Sequence, residues 1–374
     1  MNSNGVINEG YTEKLKSVMK RARSGENIKV AFLGGSITQG CLSSKPETCY
    51  AYLVYKWWKE NFPKAAITYI NAGIGGTTSF FGVSRVKQHV LDFKPDFILT
   101  EFAVNDENND FFMESYEGLV RCIIKTCPEA ALLLMNNVRF DTGENAEEVH
   151  LKVAKYYDVP MLSMKKTIFA SIQKGETVKE NISEDMLHPN DEGHKLIAKV
   201  ITDFLESVLS DIDKKNNDCG DAKFVFPDKS LTPNRYENCV RIKNYNMDEY
   251  NVELDGFSAD THEKKDFLDI FSGGFTACKV GDAIEFSVYA KSLAINYKKT
   301  VNLPAPIACA VIDENKEEAV ILDANFDETW GDCLYIENIK TWNEPAMHKV
   351  RIELTKCPEG DFLPFYLVSV ILSV

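Results

Sequence analysis

The stretch IKVAFLGGSITQG, residues 28–40, carries an apolar, β-branched run into a pair of glycines and then a serine. A short apolar run closed by glycine reads as a buried strand. In an open α/β sheet, the loop that leaves the carboxyl end of a strand is where ligands bind. The glycines let the chain turn sharply there and present Ser36. Taken alone, the motif fits a simple tight turn as well as a reactive site. It does not fit a phosphate cradle, because the Walker lysine is missing and G-x-G-x-x-G spacing is absent.

Outward from this strand, similar runs recur at AITYINAG (66–73), DFILTEF (96–102), AALLLMNNV (130–138) and VPMLSM (159–164). Between them, residues 49–62, 84–93, 113–127 and 144–157 place apolar side chains at helical spacing. A last helix should start near Asn190, a good N-cap, and run through EGHKLIAKVITDFLESVL. Strands alternating with helices predict a parallel sheet covered on both faces, a flavodoxin-like three-layer α/β/α sandwich over residues 1–210.

Two more strands end in polar, glycine-bearing loops. The second runs into Asn71-Ala72-Gly73-Ile74-Gly75-Gly76-Thr77-Thr78-Ser79, and the third into Glu101-Phe102-Ala103-Val104-Asn105-Asp106. Both loops should emerge at the same sheet edge as Ser36. The Ser36 and Gly76 backbone N–H groups and the Asn105 amide could then converge on one developing oxyanion. Near the end of this domain stands SEDMLHPN (183–190), in which Asp185 precedes His188 by three residues. In a turn, that carboxylate can bond Nδ1 and leave Nε2 free to take the serine proton. Pro189 disfavours a helical His188, as a loop position requires. His89 and His150 fall in predicted helices and His194 in the last one, while His262 and His348 lie in the second domain. A metal site built from Asp185, His188, Asp191 and His194 is the weaker alternative, since no ligand cluster elsewhere matches it.

After Leu209 the texture changes. Residues 211–222 are polar and without periodicity, which predicts a linker. From 223 to 374 short strand-like runs dominate, at 282–290, 293–297, 307–313, 318–323, 348–354 and 365–372, bounded by Gly, Pro, Asn and Asp. They predict an all-β jelly-roll sandwich. Its Trp330 and Trp342 are candidates for stacking on a sugar ring, or for filling the sandwich core.

The chain has 374 residues, 44% of them hydrophobic and 26% charged, which suits two globular domains. A formal charge of -14 repels polyanions and argues against nucleic acid or an anionic membrane as partner. The N-terminus holds no apolar core of signal-peptide type and no apolar run reaches membrane-spanning length, so a cytoplasmic protein is expected. Ten scattered cysteines without a C-x-x-C pair read as free thiols in a reducing compartment.

Together the blocks GGSITQG, NAGIGGTTS, AVND and DMLH resemble the SGNH, or GDSL-type, hydrolases over roughly residues 28–208. The resemblance implies Ser36 as nucleophile, with Asp185 and His188 completing the triad. It implies an oxyanion hole of Ser36, Gly76 and Asn105, and no metal or organic cofactor. Gly35 stands where the family often has Asp, and Ala103-Val104 replaces the glycines usual before Asn. The two-domain layout is similar to bacterial carbohydrate O-acetyl esterases, above all the mannan acetylesterases of carbohydrate esterase family seventeen. That similarity implies an acetylated oligosaccharide, acetylated manno-oligosaccharides first, as substrate, and a carbohydrate-binding-module-like second domain. A lipase, lysophospholipase or thioesterase of the same superfamily, and a sugar-binding protein without catalysis, are the alternatives. A homo-oligomer stays open.

Overall fold

The computed structural model describes residues 5–214, 224–265 and 269–374. They form two compact units, residues 1–237 and 238–374. In the first, strands β1 (Val6–Asn8), β2 (Ile28–Gly34), β3 (Ile67–Gly73), β4 (Phe97–Glu101), β5 (Ala131–Asn136) and β6 (Met161–Ser163) alternate with helices α1 (Glu13–Ser24), α2 (Ser36–Gln39), α3 (Tyr50–Asn61), α4 (Ser79–His89), α5 (Asp110–Thr126), α6 (Glu147–Tyr156), α7 (Ala170–Gln173) and α8 (Asp191–Lys214). The sheet order is β1-β6-β5-β4-β2-β3. The strands β2 to β6 pair in parallel, and β1 adds an antiparallel edge that the sequence reading did not expect.

Every residue of β4 and β5 is buried and in β2 only Lys29 is exposed, as a sheet covered on both faces demands. The chain leaves β2 toward β3 on one side and returns to β4 on the other. That reversal opens a crevice at the carboxyl ends of β2 and β4, beside the Ser36 and Asn105 loops. The expected helices are present with shifted ends, α4 beginning at Ser79 rather than residue 84. Asn190 caps α8, its side-chain oxygen accepting the Glu192 and Gly193 N–H groups at 3.1 and 3.2 Å.

The domain boundary falls later than expected. Residues 211–214 continue α8, the rest of the expected 211–222 linker lies outside the described residues, and 224–237 belong to the first unit. Charge pairing on α5 explains this. Glu117 accepts the Leu231 and Thr232 N–H groups at 2.6 and 2.8 Å, together with the hydroxyls of Thr232 and Tyr157. Arg235 forks onto Glu114, and Arg121 pairs with Glu237 at 2.7 Å.

The second unit is all antiparallel: β7 (Cys239–Ile242), β8 (Glu253–Asp255), β9 (Ser258–Ala259), β10 (Phe275–Ala277), β11 (Ala283–Lys299), β12 (Ile307–Ile312), β13 (Val320–Asp323), β14 (Cys333–Lys356) and β15 (Phe365–Ser373). Its ladder runs as one nine-stranded sheet. The expected strands 282–290 and 293–297 are the single strand β11, interrupted by an irregularity in its pairing between Ala290 and Ser292. A one-residue slip exchanges the faces of a strand, so the core side chains change from Ile284, Phe286, Val288 and Ala290 to Leu293, Ile295 and Tyr297. The sequence signal broke into two because its alternation changes phase there. Likewise the expected 348–354 is the end of the much longer β14, which contains Trp342.

The Glu117→Ala variant should lose roughly 2–5 kcal/mol of stability, because two backbone N–H groups and two hydroxyls lose their buried charged acceptor. Its urea midpoint should fall, and limited proteolysis should open the chain within 224–237.

Candidate active site

Main-chain geometry after β2 sets the site. Gly35 precedes α2, whose first residue is Ser36, and the left-handed Gly40 (φ 103°) closes it. A Cβ on Gly35 would lie 2.7 Å from the Asn105 side-chain oxygen, so only glycine lets the two loops approach so closely. Gly76 (φ 68°) turns the second loop, and the Gly75 N–H donates to Gln39 Oε1 at 2.6 Å, tying that loop to α2. Beneath them the buried Arg85 guanidinium donates to the carbonyls of Ala72 and Gly34 at 2.6 and 3.0 Å, gathering the ends of β3 and β2.

The fourth loop supplies the base. His188 Nε2 lies 2.8 Å from Ser36 Oγ, and His188 Nδ1 lies 2.6 Å from Asp185 Oδ2. The other Asp185 oxygen accepts the N–H groups of Leu187 and His188 at 2.9 and 2.7 Å. Between them Met186 adopts a left-handed φ of 62°, a sparsely populated state for its residue type, and its carbonyl accepts the Phe140 N–H at 2.8 Å. This compact turn brings a carboxylate three residues back onto its own imidazole. Partial burial alone would raise the Asp185 carboxyl, but the hydrogen bonds from His188 and the two N–H groups outweigh it and hold it below its ordinary value. An ionised Asp185 can accept only, so Nδ1 carries the proton and Nε2 is free to receive one from Ser36.

The loops of the other two expected oxyanion donors stand beside the Ser36 loop. Asn105 lies against Gly35, and Gly75, next to Gly76, would bring a Cβ to 3.6 Å from that of Ser36. Among the described residues, neither the Ser36 nor the Gly76 N–H has an acceptor. Unpaired donors beside a nucleophile are what a developing oxyanion requires.

Asp191 and His194 turn out to brace the site. Asp191 accepts Ser44 N–H (2.8 Å), Ser44 Oγ–H (2.6 Å) and Thr48 Oγ–H (2.6 Å). His194 accepts the Tyr50 N–H through Nδ1 and donates from Nε2 to the Cys41 carbonyl, both at 3.3 Å. The loop after the nucleophile is thus fastened to the helix after the base. Among the described residues, no group of His, Cys, Asp and Glu is arranged to hold a metal ion. The sequence offered Asp191 and His194 only as possible metal ligands, because their actual partners lie 143–153 positions away in the chain. In the second unit, Trp330 is 62% exposed with Phe326 at its edge, while Trp342 is half-buried and stacks on His348 at 3.7 Å between ring centroids.

Two buried groups near these loops titrate in opposite senses. Burial lowers His194 to about 4 from 6.5. Burial raises Glu101, whose Oε1 accepts the Ala103 N–H at 3.0 Å, from 4.5 to about 7. His194 contributes stability fully above pH 6.5 and loses it as pH falls toward 4. Glu101 contributes fully below pH 4.5 and loses it as pH rises toward 7. Between pH 4.5 and 6.5 the slopes oppose, so the parent's urea midpoint should vary little there. The His194→Gln variant should lose stability with rising pH and Glu101→Gln should gain it, each by on the order of 3 kcal/mol. The Gly35→Ala variant should displace Asn105 and lower kcat by about ten- to a hundredfold with little change in Tm.

Comparison with known proteins agrees with this layout. The model of the GDSL-like lipase/acylhydrolase family matches residues 32–196, from β2 to the start of α8. The chain is 24% identical over 217 residues to the thioesterase 1/protease 1/lysophospholipase L1 of Escherichia coli (strain K12), covering 56% of this chain and 98% of that protein. It is 23% identical over 203 residues to an acetylxylan esterase of Geobacillus stearothermophilus, covering 47% of this chain and 92% of that one. Crystal structures of a two-domain esterase active on acetylated mannans align over 99% of this chain and 97% of that one with a TM-score of 0.92, at 48% identity in one structure and 47% in another co-crystallized with mannopentaose. The family match falls on all four site loops and the likeness to the two-domain esterase extends through the second unit, so the chain belongs to the GDSL-like lipase/acylhydrolase family, as a serine ester hydrolase.

Proposed function

We propose that this protein is a carbohydrate O-acetyl esterase that deacetylates manno-oligosaccharides of plant origin through an acyl-enzyme on Ser36. The carrying observation is the chain Ser36 Oγ, His188 Nε2, His188 Nδ1, Asp185 Oδ2, with contacts of 2.8 and 2.6 Å. His188 takes the Ser36 proton as Oγ attacks the acetyl carbonyl, and the Ser36 and Gly76 N–H groups and the Asn105 amide hold the resulting oxyanion. Collapse expels the sugar hydroxyl, which receives the proton from His188. Water, activated by the same imidazole, then releases acetate. The steps use protein groups and water alone.

The substrate class is supported by the two-domain esterase active on acetylated mannans, 47–48% identical over nearly the whole chain. Trp330, with an exposed indole, is the better placed of the two tryptophans to meet a sugar face; Trp342 already spends one face on His348. A carbohydrate-binding role for the second unit belongs to this proposal. So does a cytoplasmic location, which the free cysteines of the described residues support.

Acetate release from acetylated mannan, acetylated xylan and an aryl acetate tests the assignment. The parent should favour the mannan, and Ser36→Ala and His188→Ala should each lose activity by roughly 10⁴-fold or more while keeping the parental Tm. Persistent turnover in Ser36→Ala would remove the triad. Preference for long-chain acyl esters or thioesters would move the substrate to the lipase and thioesterase branch.

A further inference from the structure

A second carboxylate–imidazole pair lies behind the oxyanion loops, fully buried. Asp106 follows Asn105, and both their N–H groups donate to the Phe102 carbonyl at 3.0 Å, closing a tight turn. Asp106 Oδ1 accepts the N–H of Ser79 at 2.9 Å. Ser79 opens α4 three residues after Gly76, and the Thr78 side chain makes no capping bond, so Asp106 caps α4 from another loop. One carboxylate therefore fastens the loop bearing Asn105 to the loop bearing Gly76.

The other oxygen, Oδ2, lies 3.0 Å from His150 Nε2, and neither side chain is solvent-exposed. A carboxylate only accepts, so His150 donates there. Its ring is immobilised: Nδ1 is 3.0 Å from the Asn136 amide, and Tyr116 stacks on it with centroids 3.6 Å apart and planes 10° off parallel. The pair thus rests on β5, α4, α5 and α6 together.

We propose that Asp106 and His150 are positioning residues for the oxyanion hole: His150 holds the Asp106 carboxylate, and that carboxylate sets the spacing of the Gly76 and Asn105 donors. This rests on the ester-hydrolase reading of Ser36. Neither residue touches substrate, and their effect reaches the reaction only through those donors. A carboxylate bonded on both oxygens cannot rotate, and donor placement to fractions of an ångström governs how well an oxyanion is held.

The test compares the parent with His150→Phe, which keeps the stack but removes the donor, His150→Gln, whose amide N–H can replace it, and Ser79→Pro. Proline fits the first helical position but lacks the N–H that Asp106 accepts. Two quantities are read on folded protein: kcat and KM for an aryl acetate, and affinity for an alkylboronic acid that forms a tetrahedral adduct on Ser36. His150→Phe and Ser79→Pro should lower kcat and boronate affinity together by about ten- to a hundredfold, with KM within about threefold of the parent. His150→Gln should recover most of both. Reduced Tm with parental kcat and boronate affinity in His150→Phe or Ser79→Pro would overturn the proposal and leave a core histidine. Should His150→Phe fail to fold, Ser79→Pro decides alone. A parent that hydrolyses no ester would overturn the functional reading and this one with it, whereas an active parent with equally active variants overturns this one only.

Discussion

A hydrogen bond of 2.8 Å joins Ser36 to His188, residues 152 positions apart in the chain. Neither end can adjust to find the other, because a displacement of about 1 Å at such a contact costs about a hundredfold in rate. The first unit is organised around that constraint. Arg85 gathers two strand ends, Gln39 ties α2 to the glycine loop, and Asp191 and His194 fasten the segment after Ser36 to the helix after His188. Each brace bonds at least one backbone group, so it fixes the path of the loop itself.

The parts legible in the sequence were those whose partners are local. An apolar strand feeding two glycines, an asparagine at the end of β4 and a carboxylate three residues before a histidine each announce themselves within a few positions. Asp185 and His188 meet because Met186 turns left-handed, which the spacing permitted but did not state. What stayed hidden was contact across distance. Nothing near Asp106 points to His150, 44 positions away, and nothing near Glu117 points to Thr232, 115 positions away. The second unit was misdivided for a related reason. A period-two signal is read locally, and the break in phase after Ala290 looks like an end when it is a bulge.

Burial also explains how this acidic chain treats charge inside. Glu114, Glu117 and Glu237 are all buried on or against α5, and each is met by arginine, hydroxyl or backbone N–H donors. Glu101 and His194 instead meet neutral backbone groups, and burial disfavours their charged forms. The two solutions divide by place. Charges met by charged or hydroxyl partners fasten the returning segment 224–237, and titrating groups bonded to neutral backbone lie beneath the catalytic loops.

In the second unit, Ala290 faces Ala346 and Ser292 faces Thr341, so residues 342–345 of β14 lie opposite Lys291 alone. The ladder resumes its pairing on both sides of that excursion. Length can change there without moving any core side chain to the wrong face, whereas one residue gained or lost elsewhere in β11 would invert half the strand. Trp342 is held by its stack on His348, so the freedom in length falls to residues 343–345.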